Sequence, residues 1–294
     1  MNYCGRFAPS PTGPLHQGSL VAALASYLDA RAHQGRWLLR IEDLDPLRES
    51  DSARDRILAS LEAHGLHWDG PVRYQSQQHR AYEQRLAQWR QQGRLYPCHC
   101  SRKELQASQG RHPRHCRQSP DWHRTGPHAL RFALNDTEDH WQDRLLGEIP
   151  YALHAELDDP VLKRKEGYYA YHLGVVSDDI DQGVNQVVRG QDLLEATPIH
   201  RALYQALEQT PPEYLHIPLL CNEQGQKLSK QTHAPALDDS QASANLWSAL
   251  RSLFQSPPAD LQPAPVTEIL QWAIQHWHLE PLARYARPAG VSDG

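Results

Sequence analysis

Between the apolar run Tyr3 to Ala8 and the longer apolar stretch Leu20 to Leu28 lies Pro9-Ser10-Pro11-Thr12-Gly13-Pro14-Leu15-His16-Gln17-Gly18-Ser19. Apolar run, Pro/Gly punctuation and apolar run read as a strand, a tight turn and a helix. That order aims backbone N–H groups and the positive end of a helix dipole at whatever sits over the turn, which favours phosphate. His16 adds a side-chain donor, and Gly18 lets a nucleotide lie close against the backbone. Far downstream, Lys227-Leu228-Ser229-Lys230-Gln231 places two ammonium groups on a loop that also carries Gly225. Such lysines stabilise the charge that builds when an α-phosphate is attacked and pyrophosphate leaves. His16, Lys227 and Lys230 are therefore the candidate catalytic groups, and with Gly18 and Ser19 the candidate ATP ligands. Taken singly, the turn is common in α/β proteins and a Lys-x-x-Lys loop is ordinarily solvated. Their order, separation and flanks single them out.

The rest of the chain alternates in the same way. Arg36 to Asp45 reads as a buried strand ending in acid, Asp51 to His64 as a helix stopped at Gly65, and Gln78 to Gln92 as another helix. From Ser101 to Pro160 the composition shifts to His, Arg, Asp, Pro and Trp, which reads as an insertion between two halves of a sheet. Val161 to Arg164 then reads as a strand, Tyr169 to Asp179 as a helix, Gly183 to Arg189 as a strand, Asp192 to Glu208 as a helix and Tyr214 to Leu220 as a last strand delivering the chain to the lysines. Helices over Leu246 to Phe254 and Glu268 to His276 follow, separated by a Pro-rich stretch. Alternation on both sides of the insertion predicts a doubly wound parallel Rossmann-type α/β sheet. The expected division is 1–97 and 161–237 for the two halves of the catalytic domain, 98–160 for the insertion and 238–294 for a short helical C-terminal region.

At 294 residues, 39% hydrophobic and 22% charged, the chain can bury one sizeable core and a small satellite. A formal charge of −5 argues against a general polyanion binder, so any RNA contact needs a local basic face. No basic-then-apolar start and no run of roughly 18 apolar residues is present, so neither secretion nor membrane spanning is expected and the cytoplasm is the expected location.

In a reducing compartment, clustered cysteines suggest metal more than disulfide. Cys98 and Cys100 are followed closely by His112 and Cys116. Cys-x-Cys with His-x-x-x-Cys supplies the four N or S ligands that a structural Zn2+ needs. His99 and His115 are rival fourth ligands, and inert thiols are the alternative to metal. Cys4 and Cys221 sit in apolar runs and read as small buried side chains.

The first motif, in its His-Gln-Gly-Ser form, and the Lys-Leu-Ser-Lys form of the second resemble the two signatures of the class I aminoacyl-tRNA synthetases. The resemblance narrows to the glutamyl branch through Gly5-Arg6-Phe7-Ala8-Pro9-Ser10, Leu39-Arg40-Ile41-Glu42-Asp43, Tyr171-His172-Leu173, Val175-Val176-Ser177-Asp178-Asp179 and Val188-Arg189-Gly190. It covers about residues 3 to 237. It implies ATP and amino acid at the carboxyl ends of parallel strands. It also implies a glutamate pocket of Arg6, Ala8, Ser10, Glu42, Tyr171 and Arg189, in which the guanidiniums clamp carboxylate, Glu42 holds the ammonium, Tyr171 supplies a hydroxyl, and Ser10 and the Ala8 backbone complete the cradle. Some relatives carry asparagine where Val175 stands, which puts one substrate contact in doubt.

Full glutamyl synthetases continue past the lysine loop into domains that read the anticodon, whereas this chain ends at Gly294. That length resembles a truncated branch of the family, as do Ser229-Lys230-Gln231-Thr232-His233-Ala234-Pro235-Ala236-Leu237 and the compact cysteine cluster. In that branch tyrosine usually stands at the position of His112, and histidine is an equal or better zinc ligand. The branch implies tRNA-independent formation of glutamyl-adenylate, with Mg2+ on the ATP phosphates, and then transfer of glutamate to queuosine at the wobble position of tRNA(Asp), by a monomer. Two other readings stand beside it: a minimal synthetase charging the tRNA 3′ end and a catalytically silent RNA-binding relative. A nucleotidyltransferase of the same superfamily shares a His-x-Gly turn, but not the paired arginines with Glu42. Arg102, Lys103, Arg111, Arg114 and Arg117 form a basic stretch that is equally a solvated face or an RNA contact.

Overall fold

The structure, a computed structural model, describes residues 2–107, 115–154, 159–219 and 235–284. Lys227, Lys230, Gly225, Cys221, His112, Arg111 and Arg114 lie outside the described residues.

Strand β1 (Cys4–Phe7) leads through the Pro9–Pro14 turn into helix α1 (Gln17–Ala32), and the chain returns as β2 (Arg36–Ile41), parallel to β1 with Arg6 opposite Leu38. Helix α2 (Asp51–Ala63) connects to the short β3 (Arg73–Tyr74), parallel to β2. The start of α1 is fixed locally. The His16 ring accepts the Ser19 N–H at 3.2 Å, while the Ser19 hydroxyl accepts the His16 N–H at 2.9 Å, a reciprocal cap that satisfies two otherwise orphaned donors. The end of α2 follows its sequence signal, because Gly65 adopts φ +67 just beyond the helix.

Helix α3 (His79–Gln91) leads to β4 (Leu95–Cys98), short helices α4 (Arg102–Ala107) and α5 (His115–Gln118), and β5 (Ala129–Phe132). The hairpin β6 (Thr137–Asp143) and β7 (Gly147–Leu153) follows, then β8 (Val161–Lys163) and α6 (Tyr171–Gln182), which ends on Gly183 at φ 67. After these come β9 (Gln186–Gly190), α7 (Ala196–Ala206) and β10 (Glu213–Ile217), which runs parallel to β9 in full register. Asn185 links the two groups of parallel strands: its backbone N–H reaches Cys4 O at 3.0 Å and its side chain accepts Cys4 N–H at 2.8 Å. β1 and β9 therefore lie side by side, and their carboxyl ends open where ligands of open α/β sheets bind.

Two segments sit differently from expectation. Residues 161–164 do not restart the parallel sheet, because β8 pairs antiparallel with β5, which in turn pairs antiparallel with β4. The stretch 98–160 does not stay apart either: β6 pairs parallel with β10 at Asp143 and Tyr214, so this hairpin extends the main sheet. Polar side chains alternate along the outer face of β6, which explains why its sequence lacks an apolar run.

Helices α8 (Ala242–Ser252) and α9 (Val266–Gln275) confirm the two C-terminal helices expected from periodicity, followed by α10 (Glu280–Ala283). They form no separate unit. Leu246, Leu250 and Ile269 share the main core with Leu20, Leu24, Leu28 and Trp37, which is why α1 is apolar almost all round. Each fully buried leucine there stabilises by roughly 1.5–3 kcal/mol. Asp29 in α1 is fully buried and ties four parts of the chain together, accepting from Tyr3, Arg144 and Trp277. Among the described residues, no helix is long and apolar enough to cross a membrane.

Candidate active site

The carboxyl ends of β1, β2, β9 and β10 and the amino end of α1 enclose a cleft of about 890 Å³. Arg6, Ala8, Ser10, Glu42, Tyr171 and Arg189 all line it, as do His16, Gly18 and Ser19. Residues far apart in sequence meet here because each sits at, or within a few positions of, the carboxyl end of a strand or the start of a helix. The Pro9 turn is pinned across the mouth of the sheet by the Glu42 N–H to Pro9 O bond at 3.0 Å.

His16 presents a defined tautomer. Because Nδ1 accepts the Ser19 N–H, the proton of the neutral ring lies on Nε2. The described residues on either side of 220–234 reach the cleft and its turn. Pro218 and Leu219 line the cleft on the near side, and on the far side Ala236 bridges His16 while Leu237 N–H reaches Leu15 O at 2.9 Å.

Beneath the cleft is a buried ionic network that the sequence reading did not assign. Arg40, wholly buried, reaches Asp179 Oδ1 at 2.6 Å, Gln182 at 2.9 Å and Glu42 Oε1 at 3.4 Å. Arg6 Nε reaches the same Asp179 oxygen at 3.2 Å. Burial opposes ionisation of Asp179, but Arg40 and Arg6 outweigh it and hold its carboxyl below the usual range. For Glu42 burial wins, with Asp179 and Asp178 adding to it against Arg40 and Arg6, and its carboxyl rises. Glu42, whose side chain reaches Arg40 at 3.4 Å, also lines the cleft. A charged residue inside an apolar strand, Arg40, and a paired aspartate inside a helix with buried apolar neighbours, Asp178-Asp179, were the available signals.

Arg189, 5% exposed, is held differently. Its Nη2 donates to Thr197 Oγ1 at 2.6 Å and Leu193 O at 3.1 Å, and its Nε to His216 Nε2 at 3.0 Å. Only Nη1 has long contacts, 3.4 Å to the Tyr171 hydroxyl and 3.4 Å to His200 Nδ1. A paired-donor clamp from Arg189 is therefore reduced to the one nitrogen that shares Tyr171 at the cleft wall. Of the acids ending β2, Glu42 alone lines the cleft; Asp43 accepts the Ser76 N–H and hydroxyl, and Asp45 pairs with Arg48. Arg48 and Asp192 also line the cleft and were not singled out from sequence.

A second cluster lies at the end of β4. Cys98, Cys100 and Cys116 are buried with sulfurs within 4.8 Å of one another, and Cys100 and Cys116 are 3.5 Å apart. Tetrahedral Zn–S bonds of about 2.3 Å would put two sulfurs roughly 3.8 Å apart, so the thiols fit such a metal. Burial and the neighbouring sulfurs push the Cys100 thiol up to about 12, so thiolates there call for a cation. His115 Nε2 is 3.5 Å from Cys100 Sγ but lies outside the mutual cluster of the three sulfurs, and His99 instead contacts Asp121 O at 3.4 Å. Cys4 is buried, as expected. Arg117 is not part of an open basic face, because it pairs with Asp159 at 2.9 Å and donates to Leu134 O at 2.6 Å.

Residues 4–252 match the model of the tRNA synthetases class I (E and Q) catalytic domain. A glutamyl-Q tRNA(Asp) synthetase of Idiomarina loihiensis is 48% identical over 275 residues, spanning 94% of this chain and 96% of its own length. One from Pseudomonas aeruginosa is 46% identical, over 97% of both chains. In fold, a glutamate-tRNA synthetase from Elizabethkingia anophelis superposes with a TM-score of 0.77 at 24% identity, over 96% of this chain and 67% of that one.

Proposed function

The chain belongs to the class I tRNA synthetases of the glutamate and glutamine type, and from that premise we propose that it activates L-glutamate with ATP and passes it to queuosine at the wobble position of tRNA(Asp). It is an ATP-dependent ligase. One observation carries the assignment of residues: Arg6, Glu42, Tyr171 and Arg189 converge on the same cleft as the His16 turn.

ATP lies over the amino end of α1, where Gly18 and Ser19 offer the helix start to the phosphates, and Mg2+ bound with the ATP would offset phosphate charge. The α-carboxylate of glutamate attacks the α-phosphorus in line, giving glutamyl-adenylate and pyrophosphate. His16 Nε2–H, Lys227 and Lys230 stabilise the charge of that transition state, and the protein supplies no nucleophile. Arg6 and the Nη1 of Arg189 receive carboxylate, Glu42 receives the ammonium, Tyr171 donates its hydroxyl, and Ser10 with the Ala8 backbone closes the cradle. In the second half-reaction a queuosine hydroxyl attacks the activated carbonyl and AMP leaves.

Cys98, Cys100 and Cys116, with His112 as fourth ligand, hold a structural Zn2+ on this reading. The chemistry of three buried thiols supports it. On this reading the enzyme acts as a monomer in the cytoplasm, where tRNA and ATP are found. Glutamate-dependent exchange of pyrophosphate into ATP without tRNA is the test. Exchange that appears only on adding tRNA would fit a 3′-charging synthetase and overturn activation ahead of tRNA binding.

A further inference from the structure

Arg6 and Arg189 both face the cleft, yet only Arg6 is paired with a carboxylate; among the described residues Arg189 makes no ion pair. Its neighbours are two imidazoles, two hydroxyls, a carbonyl and the Tyr214 ring, whose centre lies 5.1 Å from the guanidinium. A buried cation left with neutral acceptors retains its charge for a ligand, provided those acceptors keep their lone pairs turned towards it.

The acceptor that matters is His216, wholly buried on β10. Its Nε2 faces two donors, Arg189 Nε at 3.0 Å and the Thr197 hydroxyl at 3.2 Å, and therefore carries no proton. Its Nδ1 lies 2.7 Å from Asp143 Oδ2. Asp143 otherwise accepts the backbone N–H groups of Leu145, Leu146 and His216, at 2.9, 2.9 and 3.2 Å. An aspartate ringed by N–H donors is an acceptor only, so the imidazole proton must sit on Nδ1. His200 behaves alike, with Nδ1 towards Arg189 Nη1 and Nε2 3.1 Å from His172 Nδ1.

We propose that Asp143 and His216 are positioning residues for substrate carboxylate: Asp143 fixes the Nδ1–H tautomer of His216, and the resulting Nε2 lone pair holds the Arg189 guanidinium with Nη1 turned to the cleft. Charge does not pass along this chain; only orientation does. A second carboxylate in direct contact would hold the guanidinium equally well but would neutralise it, and the relay avoids that by keeping Asp143 one ring away. Burial and the neighbouring Arg189 also keep His216, His200 and His172 below the usual imidazole range, with Asp143 and Asp192 opposing for His216. The two rings that touch the cation, His216 and His200, are thus neutral acceptors at neutral pH, and His172 lies behind His200.

The proposal rests on the glutamate-activating reading, and its test separates the two. Long-range 15N–1H spectra of the intact protein at pH 7 report the His216 tautomer directly: an Nδ1–H, Nε2-acceptor ring is expected, and an Nε2–H or doubly protonated ring overturns the proposal whatever the enzyme activates. Kinetics then supply the role. His216→Leu removes the acceptor and is expected to raise KM for glutamate roughly 10- to 100-fold in pyrophosphate exchange, with KM for ATP nearly unchanged. His216→Gln, which can accept from Arg189 and donate to Asp143, is expected to restore most of that loss. Equal losses for both substrates, or no rescue by glutamine in a protein of parental melting temperature, would make His216 a merely structural residue. Absence of glutamate-dependent exchange in the parent protein would refute the functional reading and leave the tautomer result standing.

Discussion

Arg40 and Arg6 bind the same oxygen of Asp179, at 2.6 and 3.2 Å, so one carboxylate in the last turn of α6 ties the carboxyl end of β2 to the carboxyl end of β1 beneath the cleft. The lock sets the height of two walls of the site at once: Arg6 on one strand and, through its 3.4 Å contact with Arg40, Glu42 just beyond the other. All three groups are within or next to the dry interior, where removing one partner costs more than the pair contributes.

Asp179→Asn leaves both guanidiniums without their carboxylate. The expected loss of stability is about 3–5 kcal/mol, read as a fall in the urea midpoint at constant slope. A midpoint close to that of the parent protein would mean that water or rearrangement already compensates the arginines.

Acid should loosen the region behind Arg189 before it dissolves the rest. Burial, with Arg189 beside it, pushes His172 down to about 4. Its folded value therefore lies below its unfolded one, so the unfolded chain binds the extra proton first. Stability is complete above pH 6.5 and declines as pH falls from there towards 4, by roughly 3–4 kcal/mol across the window at about 1.4 kcal/mol per unit. Urea titrations at pH 7 and pH 5 check the sign, and a His172→Gln variant should flatten the slope. A protein equally stable at both values would show that the ring is not buried neutral.

Lys230→Ala and His16→Ala each remove one donor expected to act on the phosphates. Each should lower the rate of glutamate-dependent pyrophosphate exchange about a thousandfold; Lys230→Ala should leave the melting temperature alone, whereas His16→Ala also removes the cap of α1 and should lower it modestly. An unaltered rate for either variant would take that residue out of the mechanism.

Chelation should strip about one zinc per chain and lower the melting temperature, and Cys100→Ser should reproduce both effects, because metal binding to such a cluster is coupled to folding. Protein purified without zinc and indifferent to chelators would reduce Cys98, Cys100 and Cys116 to packed thiols. His112→Ala tests the fourth position, with His115 its nearest described rival.

Much of this was legible in the chain. The Pro9 turn, the helix it starts, the acid at Glu42 and the C-terminal helices follow from period, punctuation and cap chemistry, which are local. The cleft residues Arg6, Ala8, Ser10, Tyr171 and Arg189 were found by resemblance, and nothing in their spacing would have gathered them. What escaped was non-local. β8 reads as a strand but nothing in Val161 to Lys163 says which sheet it joins, and the half-polar β6 hides its pairing with β10. The partners Arg40–Asp179 and Asp143–His216 are separated by more than seventy positions, so each looked like an isolated charge until the fold closed around it.

The central claim is that this cleft makes glutamyl-adenylate for a modified anticodon base. Incubation with ATP, radiolabelled glutamate and tRNA(Asp), with and without queuosine, followed by nuclease mapping, tests it most directly. Label confined to the wobble nucleotide of the queuosine-containing tRNA is the predicted result; label at the 3′ adenosine, or equal label on tRNA lacking queuosine, would contradict it.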